Sequence, residues 1–152
     1  EQAQAVLEGA RHNDRPAWLL MIDIDHFKPI NDVHGHTVGD EAIRAVGAAI
    51  AESVREGDCA GRYGGDEFAV VCADTDEAQA QAIAQRIRER IAALRLAGLP
   101  ELRLTGSIGM AHAARQHITL RDWLNAADSA LYRAKHEGRN QVASTAPLPH
   151  PA

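Results

Sequence analysis

A glycine-rich stretch with two acids near the middle of the chain constrains the fold more than any other feature. Residues 62–68 read Arg-Tyr-Gly-Gly-Asp-Glu-Phe and continue into an apolar run at 69–71. Glycine gives the backbone freedom for a tight turn, and the flanking runs predict a β-hairpin with strands over 58–63 and 67–73. Asp66 and Glu67 then lie at its tip. Adjacent carboxylates repel each other unless a cation gathers them, so this tip is a candidate metal site; a solvated hairpin turn is the alternative.

A second acidic cluster, Asp23-Ile24-Asp25, ends the apolar run at 17–22. A short, continuous apolar run of this kind predicts a buried central strand. Polyphosphate chemistry uses divalent metal held by few protein carboxylates together with substrate oxygens. Asp23 and Asp66 are therefore the predicted metal pair, with the carbonyl of Ile24 beside them, and we expect one of Asp23 and Asp25 to face elsewhere.

The segment that follows this strand, from His26 to Asp32, predicts a phosphate-binding helix start. Backbone amides of a first helical turn bind phosphate readily. Lys28 adds a mobile cation.

The remaining patterns predict the other elements of an α+β domain. Strand alternation runs over 102–110, and helical spacing of apolar residues predicts helices over 2–12, 26–33, 40–55 and 76–96 and from 119 onward. The resulting order, β-α-β-β-α-β with extra helices, predicts a ferredoxin-like or palm-type antiparallel sheet with helices packed on it. The last ten residues, 143–152, contain three prolines and no periodicity, which predicts a flexible C-terminal tail.

Composition excludes some classes of partner. The net charge of −5 argues against binding to a nucleic acid polymer, although not to a nucleotide. The longest apolar run, 17–22, is too short to cross a bilayer, so we expect no membrane contact within this chain and a cytoplasmic domain. The chain begins at Glu1, and we interpret it as a piece of a longer protein. This interpretation is compatible with a membrane anchor elsewhere in that protein.

The two cysteines are interpreted as structural residues. Two are too few for a disulfide framework, and a hairpin turning at residues 65–66 places Cys59 and Cys72 roughly opposite each other. We expect both to be buried, reduced thiols.

The hairpin stretch is accompanied by further motifs in a fixed order along residues 17–142. They are Asp23-Ile24-Asp25-His26-Phe27-Lys28, Asn31-Asp32, Gly35-His36, Gly39-Asp40, Ser107-Ile108-Gly109, Ala130-Leu131-Tyr132-Arg133-Ala134-Lys135 and Gly138-Arg139-Asn140. Together with residues 62–68 they resemble the GGDEF family, the diguanylate cyclases. The resemblance implies a GGDEF domain over residues 1–142, which condenses two GTP into cyclic di-GMP and two pyrophosphates in a homodimer, with Mg²⁺ or Mn²⁺.

The resemblance also implies roles for individual residues. The family pattern assigns metal binding to Asp23, the Ile24 carbonyl and Asp66, and it makes Asp66, with Glu67, the catalytic centre that activates the 3′-hydroxyl. It assigns guanine binding to Asn31 and Asp40, and triphosphate contacts to Lys28, Lys135, Arg139 and the amides near His26 and Phe27. For Asp40 the chemistry agrees, since a carboxylate can accept hydrogen bonds from N1–H and the 2-amino group of guanine, and adenine offers neither.

A site for inhibition by the product is implied in the same way. The stretch Arg55-Glu56-Gly57-Asp58 matches the R-x-x-D inhibitory pattern of the family at the expected distance before Gly64. Cyclic di-GMP is then the inhibitor, and Arg86 is our candidate for an arginine that bound product bridges to.

Two other functions compete with an active cyclase. One is a catalytically silent module that binds GTP or cyclic di-GMP and signals through a partner; the presence of both Asp66 and Glu67 speaks against it. The other is a different nucleotidyl cyclase or polymerase-palm relative with the same two-metal chemistry, which the signature stretch (residues 62–68) and Asp40 disfavour.

Overall fold

The chain folds around a five-stranded sheet with β1 at its centre. The computed structural model describes residues 15–113 and 119–145, together with Ala5 and Glu8. The strands are β1 (Ala17–Ile24), β2 (Cys59–Gly64), β3 (Glu67–Ala73), β4 (Gly106–His112) and β5 (Val142–Ser144), and the helices are α1 (Phe27–His34), α2 (His36–Ser53), α3 (Glu77–Ala93) and α4 (Leu120–His136). The strand order is β2-β3-β1-β4-β5.

The sheet is antiparallel from β2 to β4, as predicted. β1 pairs antiparallel with both β3 and β4, and β5 adds a short parallel strand beside β4. The α+β fold class and the helix-covered sheet expected from the sequence are confirmed. β5 extends two residues into the tail predicted for 143–152, because a three-residue strand leaves no periodicity to detect. Residues 146–152 lie outside the described part, as does most of the helix predicted over 2–12.

Every residue of β1 is buried, which explains its continuous apolar run. Its even-numbered side chains, such as Leu20 and Ile22, belong to the core beneath α2 and α3. Its odd-numbered side chains, such as Leu19 and Met21, pack with Trp123 and Leu131 of α4. A side chain that follows the odd-numbered face of β1 therefore points towards α4.

Close packing fixes α4 on the sheet. A Cβ atom at Gly109 of β4 would lie 2.2 Å from the backbone nitrogen of Leu131 and 2.3 Å from the carbonyl oxygen of Ala127. Only glycine allows the helix backbone to come this near to the strand. Consequently α4 has one fixed position relative to the end of β1.

Two sequence expectations differ in detail. β4 begins at Gly106 rather than at residue 102. Leu104 is buried and Leu102, which is partly buried, packs against the core, but both lie in a loop. Alternating burial therefore continues here without strand pairing. In the hairpin, Cys59 pairs with Val71 rather than with Cys72, so the two cysteines face opposite sides of the sheet. Neither forms a disulfide; Cys72 is buried while Cys59 is half-buried.

The thiol of Cys72 has a pKa raised to about 12, mainly by its burial, as expected for an inert core cysteine. Among the described residues, no helix combines the length and apolar character needed to cross a membrane.

Candidate functional site

The hairpin tip meets the end of the central strand. Gly65 and Asp66 form the turn between β2 and β3, and Glu67, the first residue of β3, pairs directly with Asp23 of β1. The backbone N–H of Ile24 donates to the carbonyl of Asp66 at 3.3 Å. The structure thus brings together the three residues predicted to bind metal, Asp23, Ile24 and Asp66.

Asp23 is a buried carboxylate with one oxygen left unpaired. Its side chain lies on the odd-numbered face of β1, where its Oδ2 accepts from the Lys135 ammonium of α4. Its Oδ1 is buried and has no hydrogen-bond partner among the described residues. A buried polar atom without a partner is costly, and a cation at Oδ1 would remove that cost.

The donor set around Asp23 fits a hard divalent cation. In the described part of the chain, no three His, Cys, Asp or Glu side chains are grouped so that they could hold a metal ion. A metal here would therefore have Asp23, Asp66 and backbone oxygen as protein ligands. Mg²⁺ commonly binds in this way, with one or two carboxylates plus phosphate oxygens and water.

Lys135 supplies positive charge beside Asp23, and Arg139 lies near Lys135. Burial lowers the pKa of the Lys135 ammonium, and the nearby Arg139 lowers it further, which places the two cations within electrostatic range of each other. Arg139 is exposed and follows the end of α4. Of the predicted triphosphate contacts, Lys135 therefore lies on the Asp23 side of the sheet, and Arg139 follows it by four residues along the chain.

Asp25 does not face away from Asp23, contrary to expectation. Residues i and i+2 of an extended chain share a face. Accordingly, the Asp25 carboxylate accepts from Ser107, which is the β4 residue that pairs with Asp23. Three donors occupy its carboxylate: the hydroxyls of Ser107 at 2.6 Å and Thr105 at 2.7 Å, and the Asn140 backbone N–H at 3.0 Å. Asp25 therefore differs from the predicted metal pair, Asp23 and Asp66, in its hydrogen bonds and not in the direction of its side chain.

The start of α1 has the predicted anion-binding character. His26, its N-cap residue, has φ 56° and makes no capping hydrogen bond through its side chain. The first backbone N–H groups of a helix have no partner within it, which leaves those of Phe27 and Lys28 available to an acceptor. The Lys28 side chain is exposed beside them.

The predicted guanine-binding residues meet at the corner between α1 and α2. A Cβ atom at Gly39 would lie 2.3 Å from Asn31 Oδ1, so the Asn31 side chain lies against the backbone next to Asp40. Asp40 itself is exposed. His36 Nδ1 is 3.1 Å from Asn31 Nδ2 and joins this corner; its place in the Gly35-His36 motif was the signal that could have identified it.

A cavity of about 710 Å³ opens between the hairpin tip and α4. Glu67 lines it, and burial raises the pKa of this carboxyl, with Asp128 and then Asp66 raising it further. The sequence did not predict that Asp128 belongs to the site. In the sequence, helical spacing indicates only that Asp128 is exposed on α4. Its proximity to Glu67 depends on the tertiary fold.

The predicted inhibitory residues lie at the far end of β2 from the hairpin tip. The Arg55 guanidinium donates to both oxygens of Asp58, at 3.1 and 3.2 Å, and the Arg55 backbone N–H donates to the same carboxylate at 2.8 Å. This hydrogen bonding raises the pKa of Arg55. Arg86 of α3 donates to the carbonyl of Ser53 at 2.9 Å, so the structure brings all three residues to the C-terminal end of α2.

Comparisons with known proteins agree with this geometry. The family model "Diguanylate cyclase, GGDEF domain" matches residues 1–141. The chain is 45% identical over 135 residues to the probable diguanylate cyclase DgcC of Escherichia coli K12, covering 89% of this chain and 36% of the relative. It is 39% identical over 148 residues to the response regulator PleD of Caulobacter vibrioides, covering 95% of this chain and 33% of the relative.

Solved structures show the same fold. The GGDEF domain of DgcB from Caulobacter crescentus, in complex with c-di-GMP, is similar with a TM-score of 0.88 and 30% identity, covering 95% of this chain and 86% of that chain. The GGDEF domain of YfiN (TpbB) from Pseudomonas aeruginosa is similar with a TM-score of 0.90 and 32% identity, covering 97% and 92%. The chain spans about a third of the length of the curated relatives named above.

The family match extends over almost the whole chain, and four of the motifs that carry it meet at the end of β1, through Asp66, Ser107, Lys135 and Asn140. The chain therefore belongs to the GGDEF domain family of diguanylate cyclases.

Proposed function

We propose that this domain is an active diguanylate cyclase, which condenses two GTP into cyclic di-GMP and two pyrophosphates. One observation carries the proposal: the buried Asp23 carboxylate has an unpaired oxygen directly beside the Asp66 turn. A module that binds only cyclic di-GMP, which carries no triphosphate, has no need for this costly arrangement. Divalent metal binding and phosphate chemistry explain it. Turnover distinguishes an active cyclase from a silent GTP-binding module.

Each domain is proposed to hold one GTP across the end of the sheet. The Asp40 carboxylate, aligned next to Asn31, accepts from the guanine N1–H and 2-amino groups. The amides of Phe27 and Lys28 at the start of α1, the Lys28 side chain, Lys135 and Arg139 bind the triphosphate. Asp23 and Asp66 lie on the phosphate side of this arrangement.

The reaction forms two phosphodiester bonds. The 3′-oxygen of each GTP bonds to the α-phosphorus of the other, the bond from that phosphorus to pyrophosphate breaks, and the hydroxyl loses its proton. We assign activation of the hydroxyl to Asp66, with Glu67 beside it. Mg²⁺ or Mn²⁺, when bound by Asp23, Asp66 and the Ile24 carbonyl, would favour the deprotonated hydroxyl and offset charge on the pyrophosphate.

The product is two-fold symmetric, and each domain has one proposed GTP site, so catalysis requires two domains facing each other. Product inhibition through Arg55, Asp58 and Arg86 is part of the proposal. Because the Asp58 side chain is 2% exposed and bonded to Arg55, its binding to a guanine requires this ion pair to rearrange. Two free cysteines suit a reducing compartment, and we propose a cytoplasmic location, where GTP is present.

The test is product analysis by mass spectrometry after incubation with Mg²⁺ and either GTP or ATP. We expect cyclic di-GMP from GTP and no cyclic product from ATP. Asp66→Ala should abolish turnover without unfolding the protein, because a turn carboxylate contributes little to the core. Asp74→Asn, which removes a turn carboxylate at the other end of β3, is the matched control and should turn over normally.

Tight GTP binding without turnover would instead support a silent module, and a different cyclic nucleotide would support another nucleotidyl cyclase. Near-normal turnover in a folded Asp66→Ala protein would show that the metal site is misplaced.

A further inference from the structure

The loop between α4 and β5 has an unusual backbone that the proposed reaction does not explain. Gly138, Arg139 and Asn140 have φ values of 126°, 62° and 46°. The left-handed region is unfavourable for residues other than glycine, and two such residues in succession persist only where their surroundings hold them. Arg139, a proposed triphosphate contact, is one of the two.

A buried carboxylate holds this loop. The backbone N–H of Asn140 donates to Asp25 Oδ2 at 3.0 Å, and Asp25 is only 3% exposed. The same carboxylate accepts from Thr105 and Ser107, while the Asp25 backbone N–H donates to the Thr105 carbonyl at 2.9 Å. Asp25 therefore ties the end of β1 and the start of β4 to the loop that carries Arg139.

Further contacts extend the connection on both sides of Asn140. Its side-chain oxygen accepts from Arg88 of α3 at 3.2 Å. The preceding N–H, that of Arg139, donates to the Ala134 carbonyl at 3.0 Å, and the following carbonyl, that of Gln141, accepts from Ile108 at 3.0 Å. Among these hydrogen-bond partners, Asp25 is the one that is both charged and buried. It also lies two residues from Asp23.

We infer that Asp25 is a positioning residue for the triphosphate: it holds the loop at 138–140 so that Arg139, with Lys135 at the end of α4, faces the phosphate side of Asp23. The inference rests on the proposed GTP site. Asp25 itself touches neither substrate nor metal, since its oxygens are occupied by Ser107, Thr105 and Asn140. Asp23 binds the cation, and Asp25 orients the cationic side chains opposite it.

The test compares two nucleotides that differ in their phosphates. One is 3′-deoxy-GTP, which lacks the attacking hydroxyl and cannot be converted; the other is GMP, which lacks the β- and γ-phosphates. Affinities are measured by calorimetry with Mg²⁺ on the whole chain. Because Asp25 acts through the triphosphate contacts, we expect Asp25→Ala to weaken 3′-deoxy-GTP binding at least tenfold and GMP binding less than twofold.

Three further variants separate positioning from general stability. Asp25→Asn keeps an oxygen for Asn140 and Thr105, and its amide can donate to Ser107, so it should restore 3′-deoxy-GTP affinity to within about threefold. Thr105→Val, an isosteric change at a half-buried position, should give a smaller loss of the same kind even if Asp25→Ala fails to fold. Asp76→Ala removes the capping box of α3 at the other end of the sheet, and should lower the melting temperature without changing either affinity.

In Asp25→Ala, an equal loss of affinity for both nucleotides, or no loss of affinity for 3′-deoxy-GTP, would overturn the inference. A wild-type chain that binds the two nucleotides equally well, or binds neither, would overturn it as well. If Asp25→Ala does not fold, unchanged affinities in Thr105→Val would overturn it. Failure of the proposed function looks different: the wild type would bind 3′-deoxy-GTP more tightly than GMP, with the predicted variant effects, and yet form no cyclic di-GMP from GTP.

Discussion

Asp23 and Asp25 differ in their hydrogen bonding although they lie on the same face of the chain. Asp25 has three donors within 3.0 Å, so both oxygens of this buried carboxylate are hydrogen-bonded. Asp23 has Lys135 on one oxygen and no donor among the described residues on the other. At the scale of the residue, the hydrogen-bond partners, and not the residue type, distinguish the proposed metal ligand Asp23 from the proposed positioning residue Asp25.

Asp40 is the residue on which nucleotide selectivity should depend. Replacing it with alanine removes a charged acceptor for the guanine N1–H and 2-amino groups. We expect Asp40→Ala to weaken GTP binding by about 1–3 kcal/mol and to narrow the preference for GTP over ATP, measured by competitive binding. Glu101→Ala, at an exposed acid in the loop before β4, is the matched control. Unchanged selectivity in Asp40→Ala would show that another group reads the base.

At the scale of the element, α4 connects the core to the site. Its buried stripe, including Trp123 and Leu131, packs on the odd-numbered side of β1. The same helix presents Asp128 to the cavity beside Glu67 and Lys135 to Asp23. Correct placement of these charges depends on close contact between α4 and β4 at Gly109.

Gly109→Ala should therefore reduce both stability and activity. Its Cβ would overlap backbone atoms of Leu131 and Ala127, which cannot move without shifting the helix. Overpacking of this kind costs about 1–3 kcal/mol of unfolding free energy, and we expect the upper end of that range by chemical denaturation, with lower turnover in the protein that remains folded. Gly61→Ala, with no atom within 4 Å of the new Cβ, should change stability by less than about 0.5 kcal/mol. Equal effects in the two variants would contradict this account of the packing.

At the scale of the whole molecule, the proposed catalytic and inhibitory sites occupy opposite ends of β2. Asp58 precedes this strand and Gly64 ends it, a separation of about 20 Å at the usual rise of a strand. Product bound at Arg55 and Asp58 cannot block the Asp66 turn of the same domain directly. Inhibition would have to act through the arrangement of two domains.

Catalysis by a pair of domains predicts a dependence on protein concentration. Specific activity, measured as cyclic di-GMP formed per mole of domain, should rise with concentration in the dilute range, because the active species is a dimer. The oligomeric state is followed in parallel by light scattering. A specific activity independent of dilution, in a protein shown to be monomeric, would rule out the two-domain reaction.

Product inhibition predicts different progress curves for two arginine variants. With added cyclic di-GMP, the unmodified chain should stall early and Arg55→Ala should continue to turn over. Arg103→Ala removes an exposed arginine that donates to the Pro100 carbonyl in the loop before β4, and as the matched control it should stall like the unmodified chain. If Arg55→Ala stalls as well, or if the unmodified chain is not inhibited, then Arg55 and Asp58 are not an inhibitory site.

The sequence by itself determined the antiparallel order of β1 to β4, the hairpin and the residues of the candidate metal pair. These follow from local rules: an apolar run long enough to be buried on both faces, a Gly-Gly turn, and carboxylates at the ends of elements whose pairing is set by the chain order. The resemblance of the ordered motifs then indicated the family, which the comparisons confirm. The roles of individual residues remain predictions.

Only the tertiary structure decided how the acids at the end of β1 are satisfied and which helix residues surround them. The start of β4, the offset of Cys59 from Cys72 and the strand β5 depend on registers and bulges that leave no periodicity in the sequence. Asp128 near Glu67, and the three donors to Asp25, are contacts between residues about 60 to 115 positions apart. The donors Thr105 and Ser107 reach Asp25 because β4 pairs with β1, and Asp128 reaches Glu67 because α4 packs on the sheet at Gly109. Such packing between elements is a property of the folded chain rather than of any local pattern.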